Sequence, residues 1–369
     1  MTLQNKLRFV LINVVPPVFN EDAAQYDLEE LKSLVETFGG ATIVHIIQRR
    51  NNPDPSTYIG SGKAYELQET VRQDRIDIIV LNSIVKPTQI FNLTKILWTI
   101  NPNIQVWDRV DLILHIFEKH AHTTEAKLQI ELARMRHMGP RMFGLGGNLF
   151  SRQGAGIGTR GLGETNTELM KRHWRNEMKQ VQTRLDETAR SRERQMEHRR
   201  EIGFKTISII GYTNAGKSTL FNLLAKKRNL AQNILFATLE STIGKLYLPT
   251  LKKEVLVSDT IGFIQNLPAQ LITAFKSTLM ESIHADLLLH VIDAKDPHVH
   301  EKIEVVEKIL SDLSIRGKKQ IYVFNKIDEG TIHQKELLEM YGSYEPQFIS
   351  SKTGEGIPKL LHSVEKYLP

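Results

Sequence analysis

The nonapeptide Gly211-Tyr212-Thr213-Asn214-Ala215-Gly216-Lys217-Ser218-Thr219 stands directly after the β-branched run Thr206-Ile207-Ser208-Ile209-Ile210. It fits the phosphate-loop pattern, two glycines separated by four residues and then Lys and Ser, at the strand-to-helix junction that the pattern requires. Its glycines let backbone N–H groups curl around phosphate oxygens. Lys217 is placed to reach β and γ phosphates and the Ser218 hydroxyl to ligate Mg²⁺, while the helix that follows points its positive N-terminus at the same anion. Such a loop lies at the carboxyl end of a strand in an open, mostly parallel α/β sheet, so these nine residues decide the fold class around them.

Working outward, residues 205–210, 254–259, 287–293, 320–325 and 347–350 read as strands alternating with helical patterns, and several end in polar residues. The second closes on Asp259-Thr260-Ile261-Gly262, where Asp259 can hold Mg²⁺ through a water ligand and the Gly262 N–H can touch a γ-phosphate. The fourth closes on Asn325-Lys326-Ile327-Asp328. A carboxylate at Asp328 accepts hydrogen bonds from guanine N1–H and its exocyclic amine; adenine offers neither donor and would leave a desolvated charge unpaired. The nucleotide is therefore GTP. Ser350-Ser351-Lys352 can complete the guanine pocket with backbone amides.

Between the phosphate loop and Asp259 a threonine must close over the γ-phosphate and Mg²⁺, and Thr238, Ser241 and Thr242 all qualify by spacing. That segment and the one after Gly262 are expected to be switches ordered by the γ-phosphate. Where many GTPases carry a water-orienting Gln, this chain has Phe263, which cannot hydrogen-bond. Slow intrinsic turnover follows, with a partner or another residue such as Gln265 supplying the polar group.

The rest of the chain divides in two. Residues 1–120 alternate short β-rich runs (7–14, 41–47, 76–81, 104–107) with helical patterns, predicting a small parallel α/β domain. The first run leads into Asn13-Val14-Val15-Pro16-Pro17, without the glycines of a dinucleotide fingerprint, so no redox cofactor is assigned. Thr57-Tyr58-Ile59-Gly60-Ser61-Gly62-Lys63 imitates a phosphate loop but lacks the glycine spacing and the Ser/Thr after Lys; it reads as a loop.

Residues 121–202 are charged and helical, with Leu128, Leu132 and Met135 at helical spacing on one side and Trp174, Met178, Val181 and Leu185 on the other. Two long helices folded back on each other in a coiled-coil-like hairpin explain this pattern. Between them a glycine-rich stretch, 139–165, reads as a long loop, and its Arg141, Arg152 and Arg160 suit RNA-backbone contact. The third part, 203–369, is the domain of the phosphate loop.

The formal charge of +6 is concentrated: from His122 to Lys205 there are 17 Lys/Arg and 10 Asp/Glu, a local +7 that leaves −1 elsewhere. A segment of this kind either attracts phosphate backbones or is a solvated helix surface laced with ion pairs. Cysteine is absent, which excludes disulfides, thiolate metal sites and Cys nucleophiles. No apolar run approaches the roughly eighteen residues of a membrane span, and the N-terminus reads as a first strand rather than a secretory signal; a cytoplasmic protein is expected, its oligomeric state unreadable from the sequence with a monomer favoured. Outside the GTP site no acid/base or metal constellation favours a small-molecule kinase or ligase.

Taken together, segments 57–63 (TYIGSGK), 127–136 (KLQIELARMR), 151–164 (SRQGAGIGTRGLGE), 236–240 (FATLE) and 259–263 (DTIGF) resemble the HflX family of ribosome-associated GTPases over nearly the whole chain. The resemblance implies that Phe236, Ala237, Thr238, Leu239 and Glu240 form the first switch, with Thr238 as the Mg²⁺ ligand. It also implies binding to the large ribosomal subunit and its rRNA, with the glycine-rich loop near the peptidyl-transferase centre, and splitting of stalled or idle ribosomes, notably under stress. The GTP-bound form would be the active one and hydrolysis would release it. The ribosome would be the activator of a slow GTPase. A passive large-subunit assembly or RNA-binding GTPase is the alternative. The chain departs from the family at Glu240-Ser241-Thr242, where Asp-Pro-Thr is usual, and at Leu162, where Pro is usual; a C-terminal extension of some relatives is expected to be missing after Pro369.

Overall fold

The computed structural model describes residues 6–153, 166–226, 235–236, 241–265, 271, 279–313, 315, 317–330 and 334–368; at 140, 142–153 and 166–167 it describes the backbone alone. The chain forms two compact units, Met1–Lys119 with Lys127–Arg184, and His120–Ala126 with Leu185–Pro369.

In the first unit, strands β1 (Arg8–Val15), β2 (Ala41–Arg49), β3 (Ile78–Leu81) and β4 (Gln105–Asp108) form a sheet in the order β2-β1-β3-β4, all parallel. The near-continuous apolar runs in β1 and β3 are those of strands covered on both faces. The covering helices are α1 (Glu21–Phe38), α2 (Ser61–Asp74), α3 (Pro87–Trp98) and α4 (Arg109–His120). Asn20 starts α1 by accepting the Asp22 N–H at 3.0 Å. Val10, Ile12, Leu67, Ile79 and Leu93 form the centre of the core. Of the imitation phosphate loop, only residues 57–60 are non-helical: Ser61, Gly62 and Lys63 make the first turn of α2, and Lys63 pairs with Glu66 along the helix.

Helices α5 (Thr124–Gln153) and α6 (Asn166–Glu201) follow. They run antiparallel: Glu125 at the start of α5 pairs with Arg192 late in α6 at 2.9 Å, while farther along α5 the Met135 carbonyl accepts from the Trp174 indole at 3.3 Å and Arg136 donates to the Gln182 side chain at 3.0 Å. Leu128, Leu132, Met135 and Val181 are buried, as their spacing predicts.

The expected loop over 139–165 is corrected at its start, since α5 continues through Gly139-Pro140 to Gln153; residues 154–165 lie outside the described residues. Glycine disfavours a helix by about 1 kcal/mol per residue, a local preference that tertiary contacts override. Here His137 and Arg141, on either side of Gly139-Pro140, bind the same two carboxylates. His137 Nε2 lies 3.1 Å from Asp108 and 3.3 Å from Asp111, and the Arg141 guanidinium donates to each at 2.6 Å. Arg141 is therefore largely buried in an ion-pair network rather than presented to RNA. Asp108, Asp111 and His137 have metal-ligand spacing, but the Arg141 guanidinium already fills that position.

The second unit holds a six-stranded sheet of β5 (Thr206–Gly211), β6 (Thr242–Leu248), β7 (Lys253–Asp259), β8 (Leu287–Asp293), β9 (Gln320–Asn325) and β10 (Gln347–Phe348), in the order β10-β9-β8-β5-β7-β6. All pairs are parallel except β6 with β7. Strand β6 is absent from the strands read in the sequence. Its alternation, Leu246 and Leu248 inward and Lys245 and Tyr247 outward, is the signal that marks it as a half-buried edge strand. Helix α7 (Lys217–Leu224) follows β5, and the helices Met280–His284, Val299–Asp312, Gln334–Tyr341 and Ile357–Tyr367 complete the unit.

Candidate nucleotide site

Because the five parallel strands share a direction, their carboxyl ends bring Gly211, Asp259, Asp293, Asn325 and the turn after Phe348 to one edge of the sheet. Strand β5 is central and leaves its loop between β7 and β8. The phosphate loop, Gly211 through Ser218, turns there into α7. Gly216 adopts φ +94, and a Cβ on it would lie 2.2 Å from Asn325 Nδ2, so the turn requires glycine twice over.

Within this loop Lys217 is buried and its ammonium donates to the Tyr212 carbonyl at 2.6 Å. Burial pushes Lys217 down to about 8, with the Asp259 carboxylate opposing. Desolvation of a cation is relieved by an anion, which is what a phosphate-binding lysine awaits. Ser218 and Thr219 open α7 beside it and are partly exposed; Tyr212, Thr213 and Ala215 are buried and Asn214 is exposed.

Gly262 lies against the loop: a Cβ there would stand 2.9 Å from Lys217 Nζ and 2.7 Å from the Thr213 methyl group. Thr260 is fixed by donating to the Ile209 carbonyl at 2.7 Å, and Asp259, Ile261 and Phe263 are buried. Phe263 forms a bridge with Tyr212, in which Thr213 N–H donates to the Phe263 carbonyl at 2.8 Å and Phe263 N–H to Gly211 at 3.2 Å. Its ring is only 1% exposed, so it belongs to the core and not to a water.

On the base side, Asn325 Nδ2 donates to Ala215 O and Asn325 Oδ1 accepts from Ser351 N–H, both at 2.9 Å. Lys326 takes φ +69 and donates to Asp293 at 2.6 Å. Asp328, in the turn Ile327–Glu329, is exposed, and Ser350 Oγ donates to it at 2.7 Å; Lys352 is exposed beside them. The structure thus brings together the phosphate loop, Asp259–Gly262, Asn325–Asp328 and Ser350–Lys352. Of the expected first switch only Phe236 is described, buried at φ +56; Ala237, Thr238, Leu239 and Glu240 lie outside the described residues.

Sequence reading missed Asp293, whose signal was its place at the end of β8, and the Tyr212 hydroxyl, which carried no signal because the phosphate-loop pattern specifies only the two glycines, the Lys and the Ser. Among the cations of the basic segment, Arg134, Arg136, Arg141, Arg192, Arg199, Arg200 and Lys205 bind carboxylates, an amide or a carbonyl elsewhere in the protein. Arg172, Arg175, Lys179, Arg184, Arg190 and Arg194 are exposed along α6.

A phosphate loop on the central strand, an Asp-x-x-Gly turn on its neighbour and an Asn-Lys-x-Asp turn two strands away define a P-loop GTPase domain. Three family descriptions match the chain in series: "GTP-binding GTPase N-terminal" over residues 25–118, "GTP-binding GTPase Middle Region" over 120–199 and "50S ribosome-binding GTPase" over 206–326. The GTPase HflX of Caldanaerobacter subterraneus is 42% identical over 367 residues, 99% of this chain and 81% of that protein. The GTPase HflX of Escherichia coli is 38% identical, covering 95% of this chain and 81% of that one. The chain belongs to the HflX family of GTPases. Among solved structures, that of SsGBP in complex with GDP shares the fold over 97% of this chain and 98% of that one, with a TM-score of 0.54 and 22% identity.

Proposed function

We propose that this chain binds and hydrolyses GTP slowly, and uses the cycle to engage the large ribosomal subunit and split stalled or idle ribosomes. The observation that carries the reading is the joint presence of the phosphate loop, Asp259–Gly262 and Asn325–Asp328 at one sheet edge and a long helical pair with an exposed basic α6, in a family whose GTPase domain is described as 50S ribosome-binding. Lys217 and the loop amides would hold the phosphates, and Asp328 with the Ser350–Lys352 turn would read guanine. The donor set fits a hard cation: the Ser218 hydroxyl, Thr238 and, through water, Asp259 would hold Mg²⁺, which neutralises charge on the phosphates. Gly262 N–H would report the γ-phosphate. Since the Phe263 ring is committed to the core, the polar group that orients the attacking water would come from a partner or from another residue of this chain, of which Gln265, the first polar residue after Gly262, is the candidate.

The exposed cations of α6 supply the non-specific attraction that an rRNA surface requires. GTP binding stabilises the ribosome-bound form and hydrolysis releases it. Subunit separation assayed with a non-hydrolysable GTP analogue tests this. Intact ribosomes part when the analogue is present and stay together with GDP; co-sedimentation with large subunits without any effect on intact ribosomes identifies a passive binding module instead.

A further inference from the structure

The side chain of Tyr212, the second residue of the phosphate loop, is 6% exposed and lies among the end of β8 and the first turns of the helix Val299–Asp312. Its hydroxyl accepts the backbone N–H of Gln265 at 2.7 Å. Lys302 stands 5.0 Å from the ring centroid and is ion-paired with Asp296, so the ring is held from its face as well as at its tip. Residues 263 and 265 are thus tied to the loop by three hydrogen bonds. The two at Phe263 are backbone bonds that any side chains would allow; the one at Gln265 exists only because residue 212 carries a hydroxyl.

We propose that Tyr212 is a positioning residue for hydrolysis: its hydroxyl fixes the backbone of Gln265 and thereby sets where the first polar side chain after Gly262 stands relative to the γ-phosphate. This rests on the assignment of Gln265 as the water-orienting residue. In most phosphate loops the second residue contributes only backbone. In this chain its side chain is a strut between the loop and the second switch, which compensates for the apolar residue at 263. Because a water-orienting group acts only when placed to within a fraction of an ångström, freeing its backbone lowers the rate without loosening the nucleotide.

Single-turnover GTP hydrolysis, without ribosomes, by the full chain and by Tyr212→Phe, Gln265→Ala and the double variant tests the proposal, with equilibrium Kd for a fluorescent GDP and a GTP analogue measured in parallel. Tyr212→Phe is expected to hydrolyse about 5- to 20-fold more slowly, the loss of one positioning hydrogen bond, with both Kd values within about 2-fold. The double variant is expected to be no slower than Gln265→Ala, because both changes remove one function. Wild-type hydrolysis by Tyr212→Phe, additive losses in the double variant, or equal losses of rate and binding would each overturn the proposal. Wild-type hydrolysis by Gln265→Ala overturns the underlying Gln265 assignment and the proposal together, whereas a slow Gln265→Ala beside a fast Tyr212→Phe overturns the proposal alone.

Discussion

The side-chain amide of Asn325 donates to the carbonyl of Ala215 at 2.9 Å, joining the strand end that precedes the turn proposed to read the base to the loop proposed to hold phosphate. The same side chain accepts from Ser351 N–H, so three chain segments far apart in sequence meet at one buried amide. Asn325→Ala removes both bonds and leaves a buried carbonyl and N–H unpaired, a loss of about 2 kcal/mol. Nucleotide Kd should rise more than about 10-fold for GDP and GTP alike, read by fluorescent-nucleotide titration; an unchanged Kd would contradict the tie.

Specificity is expected to rest on Asp328. Asp328→Asn replaces an acceptor-only carboxylate by a group that can also donate, so it no longer matches the two adjacent donors of guanine. GTP affinity should fall by about 100-fold or more, while xanthosine triphosphate, which presents a carbonyl where guanine has its amine, should bind better than to the wild type. Competition titrations with both nucleotides measure this.

Gly262 has no room for a side chain against Lys217 and Thr213. In Gly262→Ala the second switch is displaced from the γ-phosphate while the β-phosphate contacts of the loop remain. GDP Kd should stay within about 3-fold, and preference for the GTP analogue over GDP should disappear. Retained analogue preference would remove Gly262 from the sensing role.

Converting Phe263 to the polar residue common at this position should not create a fast GTPase. Phe263→Gln buries an amide in a site that has 1% exposure, costing about 2 kcal/mol or more of stability. Thermal unfolding of the variant is expected several degrees lower with no rise in single-turnover rate; a faster, equally stable variant would show that the ring is not a core element.

The anchor of α5 should respond to pH. Burial opposes the charge on His137, but hydrogen bonds to Asp108 and Asp111 outweigh it and raise the group to about 9 from 6.5. A raised pKa stabilises fully below the unfolded value, and that stabilisation is lost as pH climbs from 6.5 towards 9. Asp111 behaves oppositely: burial raises it, but His137 and Arg141 hold it at about 2, so its contribution is present above 3.8 and lost as pH falls towards 2. Thermal midpoints of wild type should decline between neutrality and pH 9, and His137→Gln should flatten that slope.

Much of the site was legible because its chemistry is local. Gly211–Ser218, Asp259–Gly262 and Asn325–Asp328 are each contiguous, each follows an apolar strand, and each role depends on residue type and spacing within a few positions. From them alone followed a parallel sheet, a guanine nucleotide and an apolar residue where a water-orienting Gln is common. The strands of both α/β sheets other than β6 were readable in part for the same reason, that burial on two faces writes long apolar runs; β6, an edge strand buried on one face, writes only an alternation.

What only the tertiary structure decided depends on residues far apart in the chain. That Gly139-Pro140 lies inside a helix follows from Asp108 and Asp111, about 30 positions upstream, which lock His137 and Arg141. That Arg141 is an internal ion-pair partner, while six other arginines and lysines of α6 face outward, cannot be read from a charge count. That the Phe263 ring is spent on the core and the Tyr212 hydroxyl reaches Gln265, 53 positions away, follows from β5 and β7 lying side by side. Local propensity is a matter of fractions of a kcal/mol per residue, whereas a buried charge or ring settles several at once, and its partners are chosen by the sheet order.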